Sequence, residues 1–300
     1  MTCRRLGAWI VLILIAPGTL HTYDPDLWTH LTSQNVVTSI EEGEGEIFFG
    51  TSGGVRRYHR FKQDWLRTIT TAEGLPDNFV QQLAYDAHTG DLEIRTRTGS
   101  ARWMSRLETL TPGGIAELDI GGFLPRIPSS IFPPFGYYIN GHIIRGPHRD
   151  YRILDAKIDS WNILWLATEG LGIGRADLTF NELEFIRSGP LTPNVTAIEL
   201  DGDTVWMAGR GGFGGHARGI SRYDRESDKW EYFEQRHTPR LDETQIADIE
   251  ADSADVWFAT ENGVVRYRRA NDSWDTYRYS RASSTRHIRY TASVTRGRSR

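Results

Sequence analysis

A five-residue phrase recurs along the chain: glycine, two residues, arginine, then in four of five copies an aromatic. It reads Gly54-Val55-Arg56-Arg57-Tyr58, Gly99-Ser100-Ala101-Arg102-Trp103, Gly172-Ile173-Gly174-Arg175-Ala176, Gly219-Ile220-Ser221-Arg222-Tyr223 and Gly263-Val264-Val265-Arg266-Tyr267. Seven residues past each closing position stands a large apolar residue: Trp65, Leu110, Leu183, Trp230 or Trp274. Successive phrase glycines lie 45, 73, 47 and 44 residues apart. A chain that repeats itself at this period stacks copies of one supersecondary unit. Four short strands per unit at roughly 40–50 residues is the pattern of a propeller blade.

Each unit reads as four strands. The first is β-branched or aliphatic: Val36-Val37-Thr38-Ser39-Ile40, Thr196-Ala197-Ile198-Glu199-Leu200, Ile246-Ala247-Asp248-Ile249. An acidic or glycine-containing turn follows, as in Glu42-Gly43-Glu44-Gly45 or Asp201-Gly202-Asp203, where Gly tolerates positive φ and Asp bonds its own backbone. The second strand is continuously apolar, as in Ile47-Phe48-Phe49-Gly50-Thr51, Leu164-Trp165-Leu166-Ala167-Thr168, Val205-Trp206-Met207-Ala208-Gly209 and Val256-Trp257-Phe258-Ala259-Thr260. That character suits a strand covered on both faces. The third strand carries the Gly-x-x-Arg phrase, and the fourth opens with the large apolar residue. In the second unit Leu92-Glu93-Ile94-Arg95-Thr96 has lost the apolar second strand but keeps its place in the period.

These features predict an all-β chain: a β-propeller of about five four-stranded blades at 36–70, 79–112, 151–187, 194–236 and 244–280, within a domain spanning 28–280. The long interval leaves an insert at 113–150, with Pro125, Pro128, Pro133 and Pro134 arguing against central strands there. Within it, Asn140-Gly141 between Tyr137-Tyr138-Ile139 and His142-Ile143-Ile144 is a hairpin signal. The hairpin either attaches to a degenerate blade or replaces part of one.

The Leu164–Thr168 and Val256–Thr260 strands, the Gly-Val-x-Arg-Tyr strands, and the links Gly74-Leu75-Pro76-Asp77-Asn78-Phe79-Val80 and Leu191-Thr192-Pro193-Asn194-Val195 resemble the two-component regulator propeller repeats of bacterial sensor proteins. The resemblance covers about 28–280 without the insert. It implies a propeller of the extracytoplasmic sensing type, but the kinase part of such sensors has no counterpart here, so their signalling role does not carry over. Kelch repeats, which share a Gly-Gly pair and a spaced Tyr and Trp, are a weaker match. WD repeats fit worse, because Trp274-Asp275 falls in a fourth strand. Propellers often close by pairing strands from the two chain ends. Trp28-Thr29-His30-Leu31 matches the fourth strand Trp274-Asp275-Thr276-Tyr277 by position, and the period then leaves the ring incomplete.

Arg4 and Arg5 followed by an apolar stretch from Leu6 to Ala16 read residues 1–20 as an export signal or an uncleaved anchor. The stretch is too short to span a bilayer, and no later run is long enough. A periplasmic or secreted address follows. The lone Cys3 precedes the apolar core, so no disulfide is expected. The net charge of -4 gives no reason to expect nucleic acid. Residues 281–300 form a basic tail, read as a disordered end.

No constellation of side chains has metal, phosphate or nucleophile spacing. Gly209-Arg210-Gly211-Gly212-Phe213-Gly214 fits a dinucleotide string, but it lies between two strands rather than opening a helix, and reads as a loop. The recurrent Arg57, Arg102, Arg175, Arg222 and Arg266 read as structural, each bonding a carboxylate or stacking on an aromatic. No cofactor is called for.

The predicted binding face is the end where the loops between second and third strands gather. There Ser52, Arg97, Glu169, Arg210 and Glu261 occupy equivalent places, and the glycine-rich loop adds Phe213 and His216. Trp161, in the turn Asp159-Ser160-Trp161-Asn162, fits either a contact residue or a side chain tucked against the next blade. Two functions compete. One is non-catalytic binding of a glycan, peptide or protein at that mouth. The other is a carbohydrate or small-molecule lyase or hydrolase, with Glu169 or Glu261 as base and His216 as acid.

Overall fold

The computed structural model describes residues 31–113, 124, 126–147, 149–209, 219–235, 238–241 and 245–278. Among these residues there is no helix, and the strands form five antiparallel sheets. Sheet 1 holds β1 (Val37–Glu42), β2 (Glu46–Thr51), β3 (Gly54–His59) and β4 (Asp64–Ile69). Sheet 2 holds β5 (Val80–Asp86), β6 (Asp91–Thr96), β7 (Ser100–Met104) and β8 (Thr109–Pro112). Sheet 3 holds β9 (Tyr138–Asn140), β10 (Ile143–Arg145), β11 (Asp150–Ile158), β12 (Ile163–Thr168), β13 (Ile173–Asp177) and β14 (Leu183–Ile186). Sheet 4 holds β15 (Val195–Asp201), β16 (Thr204–Gly209), β17 (Gly219–Asp224) and β18 (Lys229–Glu234). Sheet 5 holds β19 (Ile246–Ala251), β20 (Asp255–Thr260), β21 (Gly263–Arg268) and β22 (Ser273–Arg278). Every strand pairs with its successor in sequence within its sheet. The architecture is propeller-like, and a closed ring is not seen among the described residues.

The repeated residues have local causes. The phrase glycine faces the backbone at the end of the fourth strand: a Cβ at Gly172 would stand 2.3 Å from the Ile186 carbonyl oxygen, and one at Gly263 2.0 Å from that of Tyr277. Both also have positive φ, 76° and 151°, where side chains are disfavoured. The threonine that ends the second strand clasps the same loop. Thr51, Thr96, Thr168 and Thr260 each donate Oγ1–H to the phrase glycine's carbonyl, at 2.8, 2.7, 2.6 and 3.0 Å. The turns between third and fourth strands close on a left-handed residue in every sheet: Gln63, Glu108, Asn181, Asp228 and Asp272. Asn and Asp tolerate that conformation better than most side chains. In the weak second copy β6 is still a buried strand, with Glu93 at the place of an aromatic and its carboxylate on Arg102.

The insert hairpin is β9 and β10, joined at Gly141 with φ 60°. It pairs onto β11, so sheet 3 has six strands rather than the four expected. Ile144 and Ile131 thereby join the core of that sheet beside Leu164 and Leu166.

Sheets meet through one aromatic of the second strand. Phe48 packs among Leu83, Leu92 and Ile94 of sheet 2, and Trp206 lies 5.7 Å from Phe258 and 5.2 Å from Tyr267 of sheet 5. Trp165 of sheet 3 does not cover sheet 4, the next in the chain. It instead packs against sheet 1, 5.2 Å from Phe49 and 5.4 Å from Tyr58. The polar seams agree. Ser39 Oγ accepts from Leu83 N (3.2 Å) across the sheet 1–2 seam, and Asp155 Oδ2 accepts from Ile40 N (2.7 Å) across the sheet 3–1 seam. Burial raises the Asp155 carboxyl above its ordinary value, against the N–H groups of Ile40 and Ala156 that favour its charge. Thr38 and Thr196 donate to Val80 and Ile246 carbonyls of the following sheets, at 2.8 and 2.7 Å. Thus sheet 1 sits between sheets 3 and 2, with β1 beside both β5 and β11, and sheet 4 packs on sheet 5 through β15 and β19. The physical reason is that every copy carries the same two faces, so any aromatic face fits any aliphatic one. The matching of Trp28–Leu31 to a last blade, residues 1–20 and the 281–300 tail lie outside the described residues, apart from Leu31 itself. Leu31 packs against Val205, Met207 and Tyr223 of sheet 4.

Candidate functional site

A four-stranded meander places the connections between strands one and two, and three and four, at one end. The connections between strands two and three, and those linking sheets, fall at the other. The hydrogen bonds follow this rule. At the loop end Ser52 N donates to Val36 O (2.9 Å), Arg97 N to Phe79 O (3.2 Å) and Glu169 N to Arg152 O (2.9 Å). At the turn end Arg60 N donates to Gly45 O, Leu178 N to Asn162 O, Arg225 N to Asp203 O and Arg269 N to Ala254 O.

The loop end is organised by residues 32–36. Asn35 O accepts from both Gly170 N (3.0 Å) and Gly172 N (2.9 Å) of sheet 3, while its Nδ2 donates to Pro190 O (3.1 Å). Gln34 N donates to Ser188 O (3.1 Å), and Gln34 Nε2 to Thr68 Oγ1 (3.1 Å) of sheet 1. Thr32 Oγ1 donates to Gly53 O (2.6 Å). Ser33, Gln34 and Asn35 are all buried, yet Ser33 Oγ, Gln34 Oε1 and Asn35 Oδ1 have no hydrogen-bond partner in the structure. Three unpartnered polar oxygens in consecutive residues are unusual in a protein interior. Sequence reasoning missed this tripeptide; its only signal was an uncharged polar run ahead of a β-branched strand.

The predicted site residues divide. Ser52 is at the loop end, but its hydroxyl donates to Ser33 O (2.7 Å), tying it to this segment. Glu169 is there too, with both carboxylate oxygens on the Arg152 guanidinium at 2.7 and 3.0 Å. That pairing raises the Arg152 guanidinium above its ordinary value, through the hydrogen bond first and the charge second. Arg97 pairs loosely with Asp77 (3.7 Å) and lies over the Phe79 ring at 4.8 Å, largely exposed. Glu261 sits in the corresponding turn of sheet 5. Trp161 is at the turn end, away from the others, against Phe61 of sheet 1. Arg210, Phe213 and His216 lie outside the described residues.

The recurrent arginines have the partners their repetition suggested. Arg57 is bidentate on Glu46 (2.9 Å for both bonds) and lies over Trp103 of sheet 2, 5.0 Å from its ring centre. Arg102, Arg175, Arg222 and Arg266 pair with Glu93, Glu184, Glu231 and Asp255. Arg222 also donates to the Tyr267 hydroxyl (3.1 Å) and lines a groove of about 370 Å³ with Thr204, Asp224, Ser227, Lys229, Trp230 and Glu231. That groove holds none of the predicted binding residues. Arg56 differs from its neighbours: buried over Trp65 at 3.7 Å, with no carboxylate bonded to it among the described residues, its guanidinium is pushed down by burial to about 10. No cluster of His, Cys, Asp and Glu fit to hold a metal occurs among the described residues.

No family model matches the chain, and no curated protein matches it. Solved structures similar to it include the extracellular domain of a hybrid two-component system from B. thetaiotaomicron (14% identity, TM-score 0.25, covering 83% of this chain and 42% of that one). A second such domain from the same organism has 20% identity, TM-score 0.24 and coverage of 82% and 28%. PorZ, a surface component of the type-IX secretion system of Porphyromonas gingivalis, has 14% identity, TM-score 0.26 and coverage of 83% and 29%. The chain thus spans less than half the length of each of these proteins. No helix of the described residues is long and apolar enough to cross a membrane.

Proposed function

We propose that the chain is a non-catalytic, sensor-like binding module that works outside the cytoplasm and takes a glycan, peptide or protein at its loop end. What supports this most is that end's accessible charge, with the Arg97 and Arg152 side chains 63% and 69% exposed beside the buried tripeptide Ser33-Gln34-Asn35 that ties the loops together. Arg97 and the Arg152–Glu169 pair stand at the same end, supplying charged groups that a ligand's polar atoms can meet. The catalytic reading is less favoured: Glu169, one of its two candidate bases, is bidentate on Arg152, and its acid, His216, lies outside the described residues. The apolar stretch from Leu6 to Ala16 supports the extracytoplasmic address.

The test is a thermal-shift screen of the full chain against oligosaccharide and peptide libraries, repeated on an Arg97→Ala, Glu169→Gln double variant. A ligand at 100 times its Kd stabilises by about 2.7 kcal/mol. The expected result is a shift in the parent chain that the double variant loses. The reading is defeated if no ligand in either library gives a shift that the double variant loses.

A further inference from the structure

We propose that Phe61 and Trp161 form a stacking subsite for a neutral pyranose sugar, at the turn end and separate from the loop-end site above. The turn of sheet 1 between β3 and β4 carries Phe61, and the turn of sheet 3 between β11 and β12 carries Trp161. Their rings meet edge to face, with centroids 5.1 Å apart and planes at 80°. Phe61 is 70% exposed and Trp161 45% exposed, so the corner they form faces solvent.

The base beneath this corner is fixed. Arg60 is buried and joins the two sheets: Nη1 donates to Glu42 Oε1 (2.6 Å) and Ser160 Oγ (2.7 Å), and Nη2 to Gly43 O (3.3 Å). Ser160 N donates to the same Glu42 oxygen (3.0 Å). Asp159 Oδ1 accepts from Trp161 N (2.9 Å) and Ile163 N (3.0 Å), and Oδ2 from Trp165 Nε1 (2.9 Å). The Arg60 guanidinium lies 5.4 Å from the Trp161 ring centre. A glycine at 45 lets Phe61 lie down, since a Cβ there would be 3.2 Å from the Phe61 ring. Both aromatics are therefore oriented before any ligand arrives, which reduces the ordering cost of binding.

The shape selects the ligand. One face of a pyranose presents C–H groups, which meet the electron-rich face of an aromatic ring. The second ring, at a steep angle, then borders the sugar's edge. The exposed Lys62, Gln63 and Asn162 stand on the same two turns with polar groups for its hydroxyls. A proline-rich peptide needs a slot between aromatic ridges, and these two rings touch, leaving no slot. An acidic sugar is disfavoured by charge: Glu42 at the end of β1, Glu44 and Asp159 on the turns, and Asp64 at the start of β4 outnumber Arg60 and Lys62 around this corner.

The test is titration calorimetry of the full chain with hexasaccharides of β-1,4-, β-1,3- and α-1,4-linked glucose, a hexauronate and a decaproline peptide. At least one neutral hexasaccharide is expected to bind. Phe61→Ala and Trp161→Ala should each weaken it about tenfold or more, as truncation of an aromatic anchor does. Trp161→Phe should retain part of the affinity, and the Arg97→Ala, Glu169→Gln double variant all of it. Unchanged melting temperatures would show that both alanine variants remain folded. The proposal is overturned if no neutral hexasaccharide binds, if binding survives the Phe61→Ala, Trp161→Ala pair, or if decaproline or hexauronate binds more tightly. Loss of sugar binding in the loop-end double variant would assign the sugar to the loop end and also overturn it.

Discussion

The placement of sheet 3 against sheet 1 makes a sharp energetic prediction about Trp165. Consider Trp165→Leu, Phe49→Leu and the two together. Trp165 is fully buried, so its shortening forfeits ring packing and also removes the N–H bound to Asp159 Oδ2. Together these cost about 3 kcal/mol. Phe49→Leu should cost about 1–2 kcal/mol. Because the rings meet at 5.2 Å and 62°, their edge-to-face attraction contributes about 0.5–1.5 kcal/mol beyond area burial. The double variant should therefore be less destabilised than the sum of the singles by about 1 kcal/mol, the coupling typical of residues in contact. The lost Asp159 bond cancels in this cycle, since it is absent from both Trp165 variants.

The control is a second cycle of Trp165→Leu with Met207→Ala. In sheet 5 the residues covered by the preceding aromatic are Val256 and Phe258, and their counterparts in sheet 4 are Val205 and Met207. Stacking in chain order would place Trp165 on Met207. The structure places it on Phe49, so the second coupling should lie within about 0.3–0.5 kcal/mol of zero. Guanidinium denaturation followed by far-ultraviolet circular dichroism measures both cycles without relying on tryptophan emission. Coupling to Met207 with none to Phe49 would refute the sheet order described above.

Two further outcomes follow from packing and charge. Trp206→Ala, at a site packed against sheet 5, should cost about 3–5 kcal/mol, whereas Trp257→Ala, at the equivalent but half-buried place, should cost well under half as much; equal losses in denaturant midpoint would contradict the half-buried position of Trp257. Burial alone would raise the Glu42 carboxyl, but hydrogen bonds from Ser160 and the charge of Arg60 outweigh it and hold the group below its ordinary 4.5. Its stabilisation is then complete above pH 4.5 and lost as pH falls through the depressed value, so the melting-temperature gap between parent and Glu42→Gln should shrink from pH 7 to pH 3, and a gap that widens on acidification would count against it.

Much of the fold was legible because the repeat is enforced by backbone. Gly172 and Gly263 sit where no side chain fits, and Thr51, Thr168 and Thr260 close the same loops. These constraints recur in sequence because they recur in geometry. The order of neighbours was not legible, since each copy offers one aromatic and one aliphatic face, and the pattern states which face is which without naming its partner. The site was legible only in outline. Ser52 and Glu169 do lie at the loop end, yet Ser52 is spent on the Ser33 carbonyl and Glu169 on Arg152. Trp161 fell at the opposite end because the first turn of a meander and its second cannot share a side. Ser33, Gln34 and Asn35 carried no periodicity, and an uncharged polar run ahead of the first strand was all that marked them.

The same alternation gives the two ends different capacities. At the turn end the connections are short: Gly43–Gly45, Arg60–Gln63 and Asp159–Asn162 are tied by hydrogen bonds to each other or to the strands they join. A side chain projecting from such a turn inherits the rigidity of two strands, so exposed rings there keep one orientation and suit a ligand with a fixed shape. At the loop end the connections between second and third strands range from the two residues Ser52-Gly53 to the nine at 210–218. Variation in length at one end leaves the strand registers untouched, because each hairpin is already closed at the other. Recognition can therefore diversify at the loop end without cost to the sheets, while the turn end is constrained to surfaces that two tight turns can build together. Phe61 and Trp161, one from each of two sheets joined by Arg60, are such a surface.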